Sequence, residues 1–145
     1  MIKQVIALLG HPVAHSKSPL MLNTAFEHSQ LPYCYVAYDI HPNQLSQAVH
    51  AMQVLNHRGF NVTIPHKVAI LSYLDELDTT AQEIGAVNTV VIDAGKCVGY
   101  NTDGLGYLQS LQEELDIHLP QERVVILGAG GAARAVSYTL AISGV

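Results

Sequence analysis

Arg123-Val124-Val125-Ile126-Leu127-Gly128-Ala129-Gly130-Gly131-Ala132-Ala133 joins an apolar run directly to a glycine-rich turn. The run predicts a buried strand, and the residues after the turn favour a helix to about residue 142. The spacing G-x-G-x-x-A in a strand–turn–helix context is typical of a backbone that meets a pyrophosphate at a helix N-terminus. A tight strand–helix turn without any ligand would use glycines in the same way. The candidate nucleotide-binding residues are Gly128, Ala129, Gly130, Gly131 and Ala132.

The alternation of strand and helix continues from this unit back to the N-terminus. Apolar or β-branched runs predict strands over residues 5–9, 33–40 and 59–64, and helical spacing predicts helices after Ser18-Pro19 and Pro42, with Ser18 as a cap. Shorter helices are expected over residues 66–74 and 79–84, and another from Thr102 to about residue 115. Asp93-Ala94-Gly95 between two apolar runs predicts a hairpin.

This order of elements predicts an α/β fold. We expect a mostly parallel, three-layer αβα domain with one antiparallel hairpin, followed by the first βα unit of a Rossmann domain. The polar, proline-bearing stretch 119–122 is the predicted boundary, giving domains 1–118 and 119–145. A dinucleotide site needs a ribose-reading residue roughly 20 positions further on. The chain stops at Val145, so we expect it to be truncated, with strand 123–127 exposed.

Composition and charge exclude several classes of function. The chain has 145 residues, a net charge of −5 and no basic stripe, which argues against a nucleic-acid partner. Its apolar N-terminus is too short to span a membrane. Cys34 and Cys97 lie far apart outside any ligand spacing, which favours reduced thiols and the cytoplasm. Pro12 separates His11 from His15, so no metal site is expected, and a monomer and a homodimer both remain open.

Polar side chains fall where predicted elements meet, and the first two groups suit an anionic or hydroxylated ligand. Ser16 and Ser18 stand at a predicted helix N-terminus, where two hydroxyls can donate to a carboxylate, although Ser18 could simply cap the helix. Asn61 and Thr63 share one face at the end of a strand, and Lys67 follows. Ligands of open α/β sheets bind beyond such strand ends, but a lone lysine taken in isolation is better explained as a solvated surface charge.

Two further groups lie later in the chain. Asn88 enters a predicted strand, where a turn asparagine is the alternative reading. Asp103 lies at a strand-to-helix junction, where either Thr102 or Asp103 could act only as a helix cap.

In this order the clusters closely resemble the shikimate dehydrogenase family. Residues 10–19 resemble its G-x-P-x-x-H-S-x-S-P signature, 61–67 its N-V-T-x-P-x-K, 85–89 its G-A-x-N-T, 99–106 its G-x-N-T-D-x-x-G, and 128–135 its glycine loop G-A-G-G-A-x-R-A. Every motif present in the chain matches. The departure is length, because family members are about twice as long, with a complete nucleotide domain and a C-terminal helix that returns to the first domain.

The resemblance implies reversible reduction of 3-dehydroshikimate to shikimate with NADPH, in the route to aromatic amino acids. By the same resemblance, Ser16 and Ser18 would hold the substrate carboxylate, and Lys67 would be the catalytic acid/base with Asp103 as its partner. Ring hydroxyls would be bound by Asn61, Thr63, Asn88 and Asp103. A cation that donates a hydrogen bond stabilises the alkoxide that develops when hydride reaches a ketone, which fits a lysine in that role.

Alternatives remain at this stage. The substrate could be quinate, the cofactor NAD instead of NADP, or the chain a non-catalytic shikimate-binding module. We expect the 145-residue chain alone to lack turnover, because half of the cofactor site would be absent.

Overall fold

A computed structural model describes residues 3–145 as one six-stranded sheet with helices packed against it. The strands are Gln4–Gly10 (β1), Tyr33–Asp39 (β2), Gly59–Val62 (β3), Glu76–Leu77 (β4), Thr89–Asp93 (β5) and Lys96–Tyr100 (β6). The α-helices are Ser18–His28 (α1), Leu45–Val54 (α2), Thr79–Ile84 (α3), Asp103–Glu114 (α4) and Gly131–Ile142 (α5). Short 3-10 helices cover Pro42–Gln44, Ala69–Tyr73 and Leu119–Gln121.

The sheet has the strand order β2-β1-β3-β5-β6-β4, and only β5 runs against the other strands. β1 pairs in parallel with β2 and β3, and β4 pairs in parallel with β6, whereas β5 is antiparallel to both of its neighbours. The prediction of an α/β fold with a mostly parallel sheet and one antiparallel hairpin is confirmed. One edge of the sheet therefore collects the ends of β1, β3 and β6 and the beginning of β5.

Alternation along the strands divides the apolar residues between the two faces of the sheet. Phe60 and Val62 of β3 pack with Leu45 and Met52 into the larger core on the α2 side. Leu8 and Tyr35 face the other way, and the partly buried Leu22 and Phe26 of α1 pack against them. Burying one such side chain stabilises the fold by about 1.5–3 kcal/mol, so these two layers hold the sheet edge in place.

The β5–β6 hairpin closes through a two-residue turn. Asp93 pairs with Lys96, which leaves Ala94 and Gly95 as the loop, with φ values of 47° and 81°. Positive φ at both central residues is the type I′ arrangement, whose twist matches that of the flanking strands. The predicted hairpin is confirmed at this turn.

Helix α5 packs against α4 and against the end of α3. A Cβ added at Gly104 would lie 2.0 Å from Thr139 Oγ1, so the two helices approach closely at this glycine. Arg134 Nη1 donates to the Gly85 carbonyl at 3.1 Å, and the Tyr138 hydroxyl donates to the Glu83 carboxylate. The C-terminal helix is thereby held on the main body of the molecule.

The strand predicted over residues 123–127 is wrong, because this segment has no regular secondary structure. A strand exists only where a neighbour completes its hydrogen-bonded ladder. The single sheet uses all six strands of residues 3–145 and does not include this segment. Val125 and Leu127 are 85% and 94% exposed. The apolar run therefore lacks the burial that would make it a strand, and the predicted βα unit is reduced to its helix.

Two smaller expectations also need correction, and one short strand was not expected. Ser18 is not the cap of α1: Lys17 holds the N-cap position without a side-chain hydrogen bond, and Ser18 is the first helical residue. The helix expected over residues 66–74 is only the 3-10 helix Ala69–Tyr73. The two-residue strand β4 was not predicted, since Glu76 and Leu77 are too few to show an alternation. Among residues 3–145, every helix is too short or too polar to reach across a bilayer.

Candidate active site

Lys67 and Asp103 meet at the edge of the sheet where β3 and β6 end. The Lys67 ammonium lies 2.5 Å from Asp103 Oδ2, and the two side chains are 16% and 25% exposed. The backbone of Lys67 is also fixed, because its carbonyl accepts a 2.8 Å hydrogen bond from the Val87 N–H. A half-buried ammonium beside a carboxylate can hold a proton and can donate a hydrogen bond to a ligand oxygen.

Asn88 binds the second oxygen of the same carboxylate. Its Nδ2 donates to Asp103 Oδ1 at 2.8 Å and to Thr102 Oγ1 at 2.9 Å. Its Oδ1 accepts from the Thr102 N–H at 2.9 Å. Asp103 is therefore gripped on one oxygen by a cation and on the other by an amide, which fixes the plane of its carboxylate.

The buried Asn101 positions the start of α4. Its Oδ1 accepts the Asp103 N–H at 3.0 Å, and its Nδ2 donates to the Ala86 carbonyl at 2.9 Å. The side chain is 6% exposed, so these two bonds are made away from water. Thr102 holds the N-cap position without a side-chain cap hydrogen bond to the helix, so the reading of Thr102 as a mere cap is wrong.

Asn61 lies one step further along the same network. The Tyr35 hydroxyl donates to Asn61 Oδ1 at 2.8 Å, and Asn61 Nδ2 donates to Thr89 Oγ1 at 3.0 Å. Thr89 Oγ1 in turn donates to Asn88 Oδ1 at 3.0 Å. Burial raises the pKa of Tyr35 to about 12, so its hydroxyl stays a donor across the ordinary pH range.

A second group of predicted residues lines a cavity of about 370 Å³ beside this network. Its walls include Ser16, Ser18 and Thr63. Ser16 Oγ accepts the Ser18 N–H at 3.3 Å, so the two serines are linked at the start of α1. The cavity therefore presents two hydroxyls and a helix N-terminus to a common space, which suits an anionic group.

The loop that carries the two serines is tied to the end of β2. Asp39 Oδ1 lies 2.5 Å from His11 Nδ1, and Asp39 Oδ2 accepts the Val13 N–H at 3.3 Å. The hydrogen bond with His11 holds the pKa of Asp39 below its usual range. His41 packs against the His11 ring at 5.3 Å between centroids.

The glycine loop borders a second cavity, of about 540 Å³, which Thr63 and Lys67 also line. Gly128, Gly130, Gly131 and Ala132 line it, whereas the predicted Ala129 does not. Gly128 has φ 124°, a value that side chains other than glycine rarely adopt, and a Cβ at Gly130 would meet nothing within 4 Å. The open backbone and the N-terminus of α5 fit a phosphate-bearing cofactor.

The predicted catalytic and substrate-binding residues thus fall into two adjacent groups. The network joins Lys67, Asp103, Asn88 and Asn61, whereas Ser16, Ser18 and Thr63 share the serine-lined cavity. Thr63 and Ile64 line both the serine cavity and the glycine-loop cavity, so the two spaces meet at the end of β3. Neither cavity is lined by Asn88 or Asp103.

Sequence reasoning missed Tyr35, Thr89 and Asn101. Thr89 directly follows the predicted Asn88, and Asn101 lies two positions before the predicted Asp103, so their place in the same polar clusters could have identified them. Tyr35 lies in an ordinary strand, 26 positions from Asn61, and no local signal marks it. In the part of the chain that the structure describes, no three His, Cys, Asp or Glu side chains gather as metal ligands.

Comparison with known proteins gives consistent matches. A family model for the shikimate dehydrogenase substrate binding domain matches residues 8–90. The shikimate dehydrogenase (NADP(+)) of Methanocaldococcus jannaschii is 53% identical over 138 residues, which cover 95% of this chain and 49% of that protein. The chain spans about half the length of the curated relatives it matches.

Solved structures share the fold. Shikimate 5-dehydrogenase from Thermus thermophilus, in complex with NADP(H) and shikimate, has a TM-score of 0.89 and 42% identity, over 97% of this chain and 53% of that one. The ligand-free 5-ketofructose reductase of a Gluconobacter species has a TM-score of 0.85 and 40% identity, over 98% and 50% of the two chains. Solved structures with this fold and about 40% identity therefore include proteins with different enzyme names.

Proposed function

Because this chain belongs to the shikimate dehydrogenase substrate binding domain family, we propose that it supplies the substrate site for NADP-dependent interconversion of 3-dehydroshikimate and shikimate. The observation that carries the proposal is the Lys67–Asp103 pair, 2.5 Å apart at the sheet edge beside a serine-lined cavity. Residues 1–118 would form the substrate domain and 119–145 the start of the nucleotide domain. The unpaired thiols of Cys34 and Cys97 suit the reducing cytoplasm.

Lys67 would act on the oxygen that gains charge during reduction. When bound, NADPH supplies the hydride. The Lys67 ammonium would donate a hydrogen bond to the developing alkoxide and then deliver its proton. Asp103 holds that ammonium in place and has lone pairs left to accept a ring hydroxyl of the substrate.

The remaining groups would orient the two ligands. Ser16 and Ser18 would hold the substrate carboxylate, and Asn61, Thr63 and Asn88 its hydroxyls. The glycine-loop residues Gly128, Ala129, Gly130, Gly131 and Ala132 would lie at the pyrophosphate of NADP. The substrate and the cofactor would then meet at Thr63 and Ile64, beside Lys67.

The catalytic role of Lys67 is tested by removing the lysine from each of two ion pairs, Lys67–Asp103 and Lys96–Glu76, in the natural polypeptide that carries these residues. Lys67→Met keeps the apolar stem and removes the charge, and we expect kcat for shikimate oxidation to fall about 10²–10⁴-fold with a smaller change in KM. Lys96→Met is the matched control, since Lys96 pairs with Glu76 at 2.7 Å but is 64% exposed. Turnover that survives Lys67→Met unchanged would refute the role.

The identity of the substrate is tested separately. Ser16→Ala should raise KM for shikimate and leave KM for NADP unchanged, because only the carboxylate contact is lost. Comparing shikimate, quinate and a carbohydrate without a carboxylate distinguishes the alternatives. If the protein prefers the uncharged carbohydrate over shikimate, and Ser16→Ala does not change that preference, the serines do not bind a substrate carboxylate.

We further propose that the isolated 145-residue chain has no dehydrogenase turnover of its own. The proposal rests on the share of the relatives that the chain covers, about half. Calorimetry with shikimate, using Ser16→Ala as a control, shows whether the chain still binds. NADP-dependent oxidation of shikimate by the purified chain would contradict the proposal.

A further inference from the structure

The N-terminus of α5 lies directly against the catalytic lysine of the proposed function. A Cβ added at Gly131 would lie 2.6 Å from Lys67 Cβ and 3.2 Å from Lys67 Cδ. The next neighbour would be Ala86 Cβ at 3.4 Å. Lys67 Cβ is bonded directly to the backbone and cannot swing away, so a methyl group at this position would force the Lys67 stem or the helix to move.

The same helix also bears on the residue that follows Asp103. A Cβ at Gly104 would lie 2.0 Å from Thr139 Oγ1 and 2.8 Å from the Ala135 carbonyl oxygen. Helix α5 therefore contacts the Lys67 side chain at its first residue and the start of α4 two turns later. One rigid element backs both members of the 2.5 Å pair.

The general dinucleotide pattern does not account for the glycine at position 131. G-x-G-x-x-A is satisfied here by Gly128, Gly130 and Ala133, and its glycines serve a tight turn and the approach to a pyrophosphate. Gly131 occupies an unspecified position of that pattern, and it does not have a positive φ. The contact with Lys67 is the feature of this fold that leaves no room for a side chain there.

We infer that Gly131 is a positioning residue for Lys67: its missing side chain lets α5 seat the lysine stem so that the ammonium meets Asp103. This inference rests on the proposed function and assigns Gly131 a duty toward the substrate side of the site. A substitution at Gly131 therefore mainly displaces Lys67. A substitution at Gly130 mainly disturbs phosphate binding.

The direct test measures the chemical reactivity of Lys67 in the 145-residue chain. Brief acetylation followed by mass spectrometry gives the ratio of modification at Lys67 to that at the exposed Lys96. We expect Gly131→Ala to raise this ratio several-fold, because a displaced ammonium leaves Asp103 and meets solvent. Gly106→Ala is the matched control, since a Cβ at Gly106 would meet nothing within 4 Å. An unchanged ratio in folded Gly131→Ala would overturn the inference.

A second readout covers the case in which Gly131→Ala does not fold, as judged by circular dichroism. In the unmodified chain, nuclear Overhauser effects between the Gly131 α-protons and the Lys67 side-chain protons should be strong. Their absence from a fully assigned spectrum would show that α5 does not seat the lysine.

The kinetic arm uses the natural polypeptide. Gly131→Ala should lower kcat about 10- to 100-fold, as expected for a reacting group displaced by about 1 Å. The fall in kcat should exceed any rise in KM for NADP, because the contact that is lost seats Lys67, whose interaction is made in the transition state. A large rise in KM for NADP with kcat preserved would assign Gly131 to the cofactor instead. The acetylation ratio can be measured in a protein that has no dehydrogenase activity. A protein that does not oxidise shikimate would therefore refute the proposed function, while the ratio would still test the position of Lys67.

Discussion

At the scale of single residues, two carboxylates at the sheet edge, Asp103 and Asp39, each bind a different partner with each of their two oxygens. Asp103 gives one oxygen to the Lys67 ammonium and the other to Asn88. Asp39 divides its oxygens in the same way between His11 and the Val13 N–H. Each carboxylate links its own segment to others distant in sequence, so the loops at this edge are fastened by charged hydrogen bonds where water could otherwise separate them.

His57 is the residue whose burial should make the fold sensitive to acid. It is 6% exposed and packs on Tyr38, and neither ring nitrogen has a hydrogen-bond partner within residues 3–145. Burial lowers the pKa of His57, so the unfolded chain takes up a proton more readily. The stability that neutral His57 contributes is full above the ordinary value of about 6.5 and is lost as the pH falls below it.

His57→Phe should therefore raise the free energy of unfolding by about 1 kcal/mol at pH 7.5, since two unpartnered nitrogens are removed. The gain should be larger at pH 5. Urea titrations at both values measure it, with His50→Gln, an exposed position on α2, as the control. A gain of the same size at both pH values would contradict the argument.

Tyr35 gives a second test at this scale. Burial raises its pKa to about 12, so the folded chain should lose stability as the pH rises above the ordinary tyrosine value of about 10. A rapid pH-jump titration at 295 nm should show one component near pH 12 that Tyr35→Phe removes. The exposed Tyr107→Phe should leave it in place. Tyr35→Phe should also cost about 1 kcal/mol, because Asn61 loses a donor.

At the scale of elements, the reversal of β5 explains why Asn88 belongs to the site. Thr63 and Lys67 follow β3, and Asp103 follows β6, as expected for strands that end at the ligand edge. Asn88 precedes β5 instead. Because β5 runs the other way, its beginning lies where the other strands end.

The hairpin turn allows a stability test that does not touch the site. Ala94 has φ 47°, a left-handed conformation that asparagine tolerates better than alanine. Ala94→Asn should raise the free energy of unfolding by about 0.5–1 kcal/mol, and Gly95→Ala should lower it by about 1 kcal/mol. Urea unfolding checks both. If both substitutions changed the free energy of unfolding in the same direction and by the same amount, backbone strain would not decide the stability of this turn.

Much of the architecture could be predicted because its signals are local. Apolar runs bounded by glycine or proline mark β1 and β3, and the turn residues Asp93-Ala94-Gly95 mark the hairpin. The distance between Lys67 and Asp103 could not be predicted, since 36 positions separate them and only the sheet brings them together. Residues 123–127 misled for the opposite reason: β-propensity is local, but a strand needs a partner that this sheet does not provide.

At the scale of the whole molecule, residues 123–130 divide a well-packed body from a helix that is docked on it. The N–H groups of 124–129 make no backbone hydrogen bond within residues 3–145. Two of the most exposed apolar side chains, Val125 and Leu127, lie here. The segment is therefore a hydrophobic bridge that contributes little to the core.

Hydrogen exchange should report this difference. Amide protons of 124–129 should exchange orders of magnitude faster than those of β1, whose groups are paired on both sides. Replacing Val125 and Leu127 together with lysine should leave the melting temperature nearly unchanged and reduce concentration-dependent association in gel filtration. Strong protection of 124–129 in dilute solution would mean that the segment is covered by something other than solvent.

The course of the hairpin also has a practical use. The chain departs from the candidate-site edge at Asn88, reverses at Ala94-Gly95 at the other end of the sheet, and comes back at Asn101. An affinity tag or a dye inserted at that remote bend would lie at the opposite end of β5 and β6 from Asn88 and Asn101, and we expect it to leave the proposed substrate site undisturbed.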